Sequence, residues 1–167
     1  MTTGRTGIES VSLSPTRRIE LRGDEDAILL VDADLPVRRL VDHPLLDRAG
    51  PIVHASLDSG DVSLLGRARG RRLFLVDANL QCQEVDLGLE RLRHSEHTAL
   101  HAVRALFVVM TENGVLGLDR AGEERWRIEG TTAGWEFVGI ADEALYFSDA
   151  RRNLIAVDPR TGSEVDP

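Results

Sequence analysis

The stretch Leu73-Phe74-Leu75-Val76-Asp77 is four apolar residues closed by an aspartate, and it returns in kind three more times. Its counterparts are Ile28-Leu29-Leu30-Val31-Asp32, Val115-Leu116-Gly117-Leu118-Asp119 and Leu154-Ile155-Ala156-Val157-Asp158. The closing aspartates stand at 32, 77, 119 and 158, so the spacing is nearly regular. A repeat of about 40–45 residues built from short strands assigns nearly the whole chain to one recurring all-β unit.

Working outward, each repeat divides into four strand-like segments, here a to d, over about 8–42, 52–87, 99–128 and 136–166. The quoted runs are the c segments. They are apolar on consecutive positions, as is the b segment Leu106-Phe107-Val108-Val109-Met110. A strand apolar on both sides must be covered on both faces. The d segments instead carry Arg38, Arg39, Glu84, Arg125, Arg127 and Glu164 between apolar positions. Such charges suit an exposed outer edge and discourage edge-to-edge pairing. Buried inner strands with a charged outer strand describe a propeller blade.

The expected fold is therefore all-β, a β-propeller of four four-stranded antiparallel blades forming a single domain over 1–167. A four-bladed ring is the first expectation. The alternatives are half of a dimeric eight-bladed ring, which makes a homodimer an option, and a small β-barrel. Asn113-Gly114 predicts a type I′ hairpin turn, which needs positive φ at both central residues. Gly122 and Gly162 sit between c and d, where a tight return is needed. Longer connections join the repeats, and the one over 88–97 (GLERLRHSEH) could form a short helix.

The two later repeats resemble the repeat of pyrroloquinoline-quinone-enzyme-like (PQQ-like) propellers. That repeat reads apolar-x-apolar-Asp, then a Thr-Gly or Gly turn, then tryptophan. Gly117 to Trp126 (GLDRAGEERW) is a close match. Leu154 to Val165 (LIAVDPRTGSEV) matches through Asp158, Thr161 and Gly162, with Val165 in the tryptophan position. The first two repeats keep the aspartate but lose the glycine and the tryptophan. Quinone enzymes of this family have eight blades, calcium ligands and a neighbouring cysteine pair, whereas this chain has four repeats and only Cys82. The resemblance thus implies a non-quinone-binding member with no cofactor, of the kind that serves as an interaction platform.

Bulk composition narrows the function classes. The chain has 167 residues and a formal net charge of −8, which argues against a nucleic-acid partner. All 20 basic residues are arginine. One cysteine permits no intrachain disulfide, the N-terminal segment has no apolar signal-like run, and no apolar run is long enough to span a membrane. The expectation is a cytoplasmic protein that binds neither nucleic acid nor membrane.

The repeated aspartates look like a catalytic set, but each ends a strand before a turn, where a carboxylate accepts turn N–H groups. The sharpest metal candidate is His94, His97 and His101 with Glu90, which would share one face if the segment were helical and would suit zinc. In a four-stranded meander the b–c loops and the d–a connections emerge on one face. That face would carry Asp24, Glu25 and Asp26 from the first repeat and Arg67, Arg69, Arg71 and Arg72 from the second. His43 and, from the fourth repeat, Arg151 and Arg152 lie on the same side. Such a bipolar rim suits recognition of a charged partner. No nucleophile elbow, phosphate loop or dinucleotide fingerprint is present. Two functions follow: a non-catalytic module that binds a protein partner through its loop face, or a small enzyme or ligand-binding protein acting on a small molecule at the central channel.

Overall fold

The structure is a computed structural model, described here for residues 8–47, 50–57, 60–88, 90–93, 99–129 and 134–166. Its strands form four separate four-stranded sheets, so the barrel alternative falls away. The first holds β1 (Ile8–Ser14), β2 (Arg17–Arg22), β3 (Ala27–Asp32) and β4 (Arg38–Val41). The second holds β5 (Ile52–Leu57), β6 (Val62–Arg67), β7 (Arg72–Val76) and β8 (Cys82–Asp86). The third holds β9 (Leu100–Val103), β10 (Leu106–Met110), β11 (Gly114–Leu118) and β12 (Glu124–Glu129). The fourth holds β13 (Glu136–Ala141), β14 (Ala144–Ser148), β15 (Leu154–Val157) and β16 (Glu164–Val165). Every sheet is an antiparallel meander in chain order, as the four-segment reading of the repeats expects.

Three apolar seams join the sheets in series. Leu13, Ile19, Leu21, Ile28 and Leu30 of the first sheet pack with Leu65, Phe74 and Val76 of the second. Leu64, Leu73 and Leu75, from the other face of the second sheet, meet Phe107, Val109, Leu116 and Leu118 of the third. Val108, Met110, Val115 and Trp126 then meet Leu145, Phe147 and Val157 of the fourth. Because strand side chains alternate between faces, a middle sheet needs apolar residues at every position, which is why β6 and β11 bury all of theirs. Among the described residues no apolar cluster joins the fourth sheet back to the first. The four-bladed ring expected from the sequence is thus not closed, and the blades form an open series.

The turns explain the recurring aspartates. Asp77 Oδ1 accepts the N–H groups of Asn79 and Gln81, each at 2.9 Å. Asp119 Oδ1 does the same for Ala121 and Glu123, and Asp32 and Asp158 take the N–H groups of Asp34 and Arg160. Gly122 and Gly162 follow at φ of +81° and +72°, where a Cβ is disfavoured. Gly117 has a different reason. A Cβ there would lie 2.3 Å from the indole of Trp126, whose Nε1–H donates to the Pro159 carbonyl at 2.8 Å. The glycine and tryptophan of the GLDRAGEERW repeat are thus two halves of one contact at the third seam.

Asn113-Gly114 departs from expectation, since neither residue has positive φ. The β10–β11 hairpin still turns here, closed by the Thr111 N–H and hydroxyl on the Gly114 carbonyl, while Glu112 N–H bonds to the Arg91 carbonyl and Leu92 bridges Thr111 from the neighbouring connection. The tight hairpin with two left-handed residues is instead Asp142-Glu143, at φ of 49° and 64°.

Candidate functional site: the loop face

The b–c loops and the d–a connections come out on one side and are stitched together by main-chain bonds. Asp42 N–H donates to Asp26 O, Ala68 N–H to Pro51 O, Arg69 N–H to Leu92 O and Leu92 N–H to Gly70 O. The second b–c loop is thereby fastened both to the start of its own sheet and to the connection that follows it. Asp24, Glu25 and Asp26 are exposed there, in and just after a single 3-10 turn. Arg69, Arg71, Arg72, Arg151 and Arg152 are exposed as well. Arg72 reaches Glu84 at 3.2 Å, while Arg69 and Arg71 make no ion pair among the described residues.

Arg67 is placed differently from its three neighbours. It is buried, and its guanidinium donates to the Leu45 carbonyl at 3.0 and 2.6 Å and to the Gly50 carbonyl at 3.0 Å. It fastens the connection after the first sheet onto the second and is not part of the rim. Two further arginines that carried no role in the sequence reading do similar work. Arg17 pairs with Asp32 at 2.9 Å and donates to the carbonyls of Asp61, Asp77 and Ala78 across the first seam. Arg93 donates to the carbonyls of Thr111 and Trp135. A guanidinium presents five N–H donors in a fixed plane, so one side chain can satisfy several carbonyls of two blades.

Between these anchors lies a cleft of about 290 Å³, lined by Pro44, Leu45, Asp47, Arg71, Arg72 and Phe74. The turn at Pro44–Leu46 that forms one wall is capped by His43, whose Nδ1 accepts the Leu45 N–H at 3.2 Å. His43 also packs against Phe74, with ring centroids 4.4 Å apart and the planes tilted by 59°. Its Nε2 lies 3.7 Å from the sulfur of Cys82, a pairing that 39 residues of sequence conceal. It is not an activated dyad. Burial pushes the thiol up to about 11, against the pull of Arg38, and pushes the imidazole down to about 4. Both groups are neutral near pH 7, so neither thiolate nor imidazolium is available.

The metal candidate is not assembled as a helix face. His94 and His97 lie outside the described residues, and His101 sits on strand β9, its ring 4.6 Å from that of Phe137. Residues 90–93, with Glu90 at their start, are not helical, and Leu92 makes a β-bridge there. Among the described residues no group of three or more His, Cys, Asp or Glu is placed to hold a metal ion. No described helix is long and apolar enough to cross a membrane.

At three of the recurring aspartates the turn contacts also hold the carboxyl group down. The Asp34 N–H, then Arg17, hold Asp32 below the usual carboxylate range, and the Arg160 N–H does so for Asp158. At Asp119 burial works upward but is outweighed by the N–H groups of Glu123 and Ala121 and by Arg125, 2.7 Å away.

No family model matches the chain, and no curated protein matches it. Solved structures do. AztD from Citrobacter koseri superposes with a TM-score of 0.60 at 15% identity, over 96% of this chain and 46% of that one. BamB from Moraxella catarrhalis gives 0.55 at 16%, over 84% and 45%. The computationally designed Ika4 protein gives 0.53 at 17%, over 71% and 72%. The chain spans under half the length of the two natural proteins. At these identities the likeness carries the architecture alone: four antiparallel blades of a β-propeller.

Proposed function

We propose that this chain is a non-catalytic propeller module that takes a protein partner on its loop face, with the cleft beside Phe74 as the anchor point. The observation that carries this reading is the make-up of the cleft. Its apolar lining is Pro44, Leu45 and Phe74, its charged lining is Arg71 and Arg72 with Asp47 as the single carboxylate, and the buried guanidinium of Arg67 holds its walls in place. A volume of about 290 Å³ lies at the bottom of the range for small-molecule sites, roughly 300–1,000 Å³, and fits one or two side chains. The titratable pair behind it, His43 and Cys82, is neutral, which supports recognition over catalysis. An apolar or aromatic residue followed by a carboxylate matches this surface, the ring on Phe74 and Leu45 and the charge on Arg71 or Arg69.

Selection from a displayed random-peptide library tests this directly. The natural chain should enrich peptides with an aromatic or aliphatic residue next to Asp or Glu. The R69A/R71A/R72A variant should lose that enrichment while its melting temperature moves by no more than about 2 °C, because exposed charges contribute little to folding. Equal enrichment by both proteins would reject the loop-face reading, and a large fall in melting temperature would reassign the three arginines to the scaffold.

A further inference from the structure

The two ends of the blade series are unfinished in complementary ways. Among the described residues the exposed large apolar side chains are Ile8, Val37 and Val41 in or beside the first sheet and Val138, Leu154 and Val165 in the fourth; the two middle sheets have none. Register places Ile8, Val41, Leu154 and Val165 on the faces that no neighbour covers. In the first sheet Ile8 pairs with Arg22, Arg22 with Ala27 and Ala27 with Val41, one row on the face opposite the Ile19 and Leu30 seam. In the fourth, Tyr146 pairs with Ala156 and Ala156 with Val165, on the face opposite Leu145 and Phe147. We propose that two copies of this chain close head to tail into one eight-bladed ring, the fourth sheet of each stacking on the first sheet of the other.

Charge supports this pairing over a joint between like ends. The free face of the first sheet carries Arg18, Arg22 and Arg39; Glu20 is shared by Arg18 at 3.1 Å and Arg22 at 3.0 Å, and Arg22 also reaches Glu25 at 3.6 Å, which leaves Arg39 as the cation of this face with no ion pair among the described residues. The free side of the fourth sheet carries Glu136, in the row of Ser148 and Leu154, and its β13–β14 hairpin carries the exposed Asp142 and Glu143. If the sheets stack as successive blades do here, both β1 and β13 start at the loop face. Glu136 then comes beside the Ile8–Arg22 end, and Asp142-Glu143 beside the Arg18 end. A joint between two fourth sheets would set these carboxylates against one another.

Area supports closure over an open dimer. Four strands about 4.8 Å apart and about five residues long offer a footprint of roughly 300 Å² per face. A single joint would cover roughly 600 Å², below what a specific interface needs, whereas two joints cover roughly 1,200 Å² and reach that range. The blade count fits as well. Two copies supply eight blades, the upper end of the usual four to eight. A head-to-tail joint either closes or propagates, so the rotation per blade decides between a ring and a fibre.

Light scattering on a sizing column, at micromolar protein, tests the ring with the natural chain and two single variants. The natural chain should run as a sharp species of two-chain mass. Val41→Glu on one end and Leu154→Glu on the other should each run as monomers with unchanged circular dichroism, since either change spoils both joints. An equimolar mixture of the two variants, concentrated well above the micromolar range, should show a weak association through its one intact joint that neither variant shows alone at the same concentration. A monomeric natural chain overturns the proposal. So does a ladder of higher masses, or a Leu154→Glu monomer alongside an unaffected Val41→Glu dimer, which would mean that like ends pair. If Leu154→Glu fails to fold, Val138→Glu replaces it with the same expected outcomes.

Discussion

The second and third sheets and the first and fourth are built from the same repeat, yet they solve different problems. Strands β6 and β11 bury every residue because each has a sheet on both sides. Strand β2 alternates, with Ile19 and Leu21 buried and Arg18 exposed opposite them, and β14 alternates likewise with Tyr146 and Ser148 half-buried. The recurring run ending in aspartate is present in all four, so it does not decide how a blade is covered. Place in the series does. A repeat protein stabilises its middle units through two interfaces and its ends through one, and an end must be either polar or partnered. Both end sheets leave large apolar side chains exposed, but the first sets Arg18, Glu20, Arg22 and Arg39 among them while the fourth has Glu136 alone in its paired rows, and this asymmetry is the most informative difference in the molecule.

Leu116 and Leu29 put that difference into one side-chain type, since both lie on c strands. Leu116 is 2% exposed at the second seam, whereas Leu29 lies on the free face of the first sheet, paired with Glu20 and Arg39. Leu116→Ala should cost about 2–5 kcal/mol, the transfer of the lost atoms plus the cavity left behind. Leu29→Ala should cost less than about 1 kcal/mol when measured in a chain that also carries Val41→Glu, so that contacts between copies do not enter. Urea unfolding of both pairs of proteins reads this out, and equal costs would mean that the first sheet is covered from both sides.

A second contrast separates arginines that hold blades together from arginines that face water. Arg17 and Arg18 are adjacent in sequence and point to opposite sides of β2. Arg17→Ala removes the partner of Asp32 and three main-chain carbonyls at a buried position, an expected loss of about 3 kcal/mol. Arg17→Lys should recover little of it, because one ammonium cannot span the same four acceptors. Arg18→Ala should stay within about 0.5 kcal/mol, as exposed ion pairs usually do. Thermal unfolding of the three variants suffices, and a stable Arg17→Ala protein would remove this side chain from the account of the first seam.

What could be read from the sequence follows the same line between local and long-range information. Strands β3 (27–32) and β10 (106–110) lie where continuous apolar runs put them, and the c–d returns lie at Gly122 and Gly162, because those signals act within a few residues. The roles of the arginines did not show, because Arg67 and Arg69 differ only in which side of the chain they leave. Arg67 keeps the register of β6, opposite Ile52, and so turns into the seam, while Arg69 has left the strand with φ of +65°. Asn113-Gly114 does mark the β10–β11 hairpin, but not as a type I′ turn, and the contacts of its loop with Arg91 and Leu92 join another connection that no local pattern encodes. The His43–Cys82 contact joins two blades and is invisible for the same reason.

That contact gives the smallest effect, and one that distinguishes a seam from a rim by pH. Burial lowers His43 from 6.5 to about 4, so the folded chain takes up its proton later than the unfolded chain as pH falls. Stability from this group is complete above about pH 6.5, declines as pH falls toward 4, and is flat below that. Two and a half units would correspond to about 3 kcal/mol, and partial exposure of the ring to screening water reduces this to about 1–2 kcal/mol. His54 is lowered by burial as well and adds a slope of the same sign. Asp32 and Asp158, at the exposed turns, have depressed values and lose their contribution only as pH falls through those values, below the histidine window. His43→Asn keeps an acceptor for the Leu45 N–H and removes the titration. Urea midpoints for the natural chain should therefore fall more steeply than those of the variant between pH 6.5 and 4, and run parallel to them below. Parallel curves throughout would place the ring in water, and with it would go the neutral, sealed backing of the cleft.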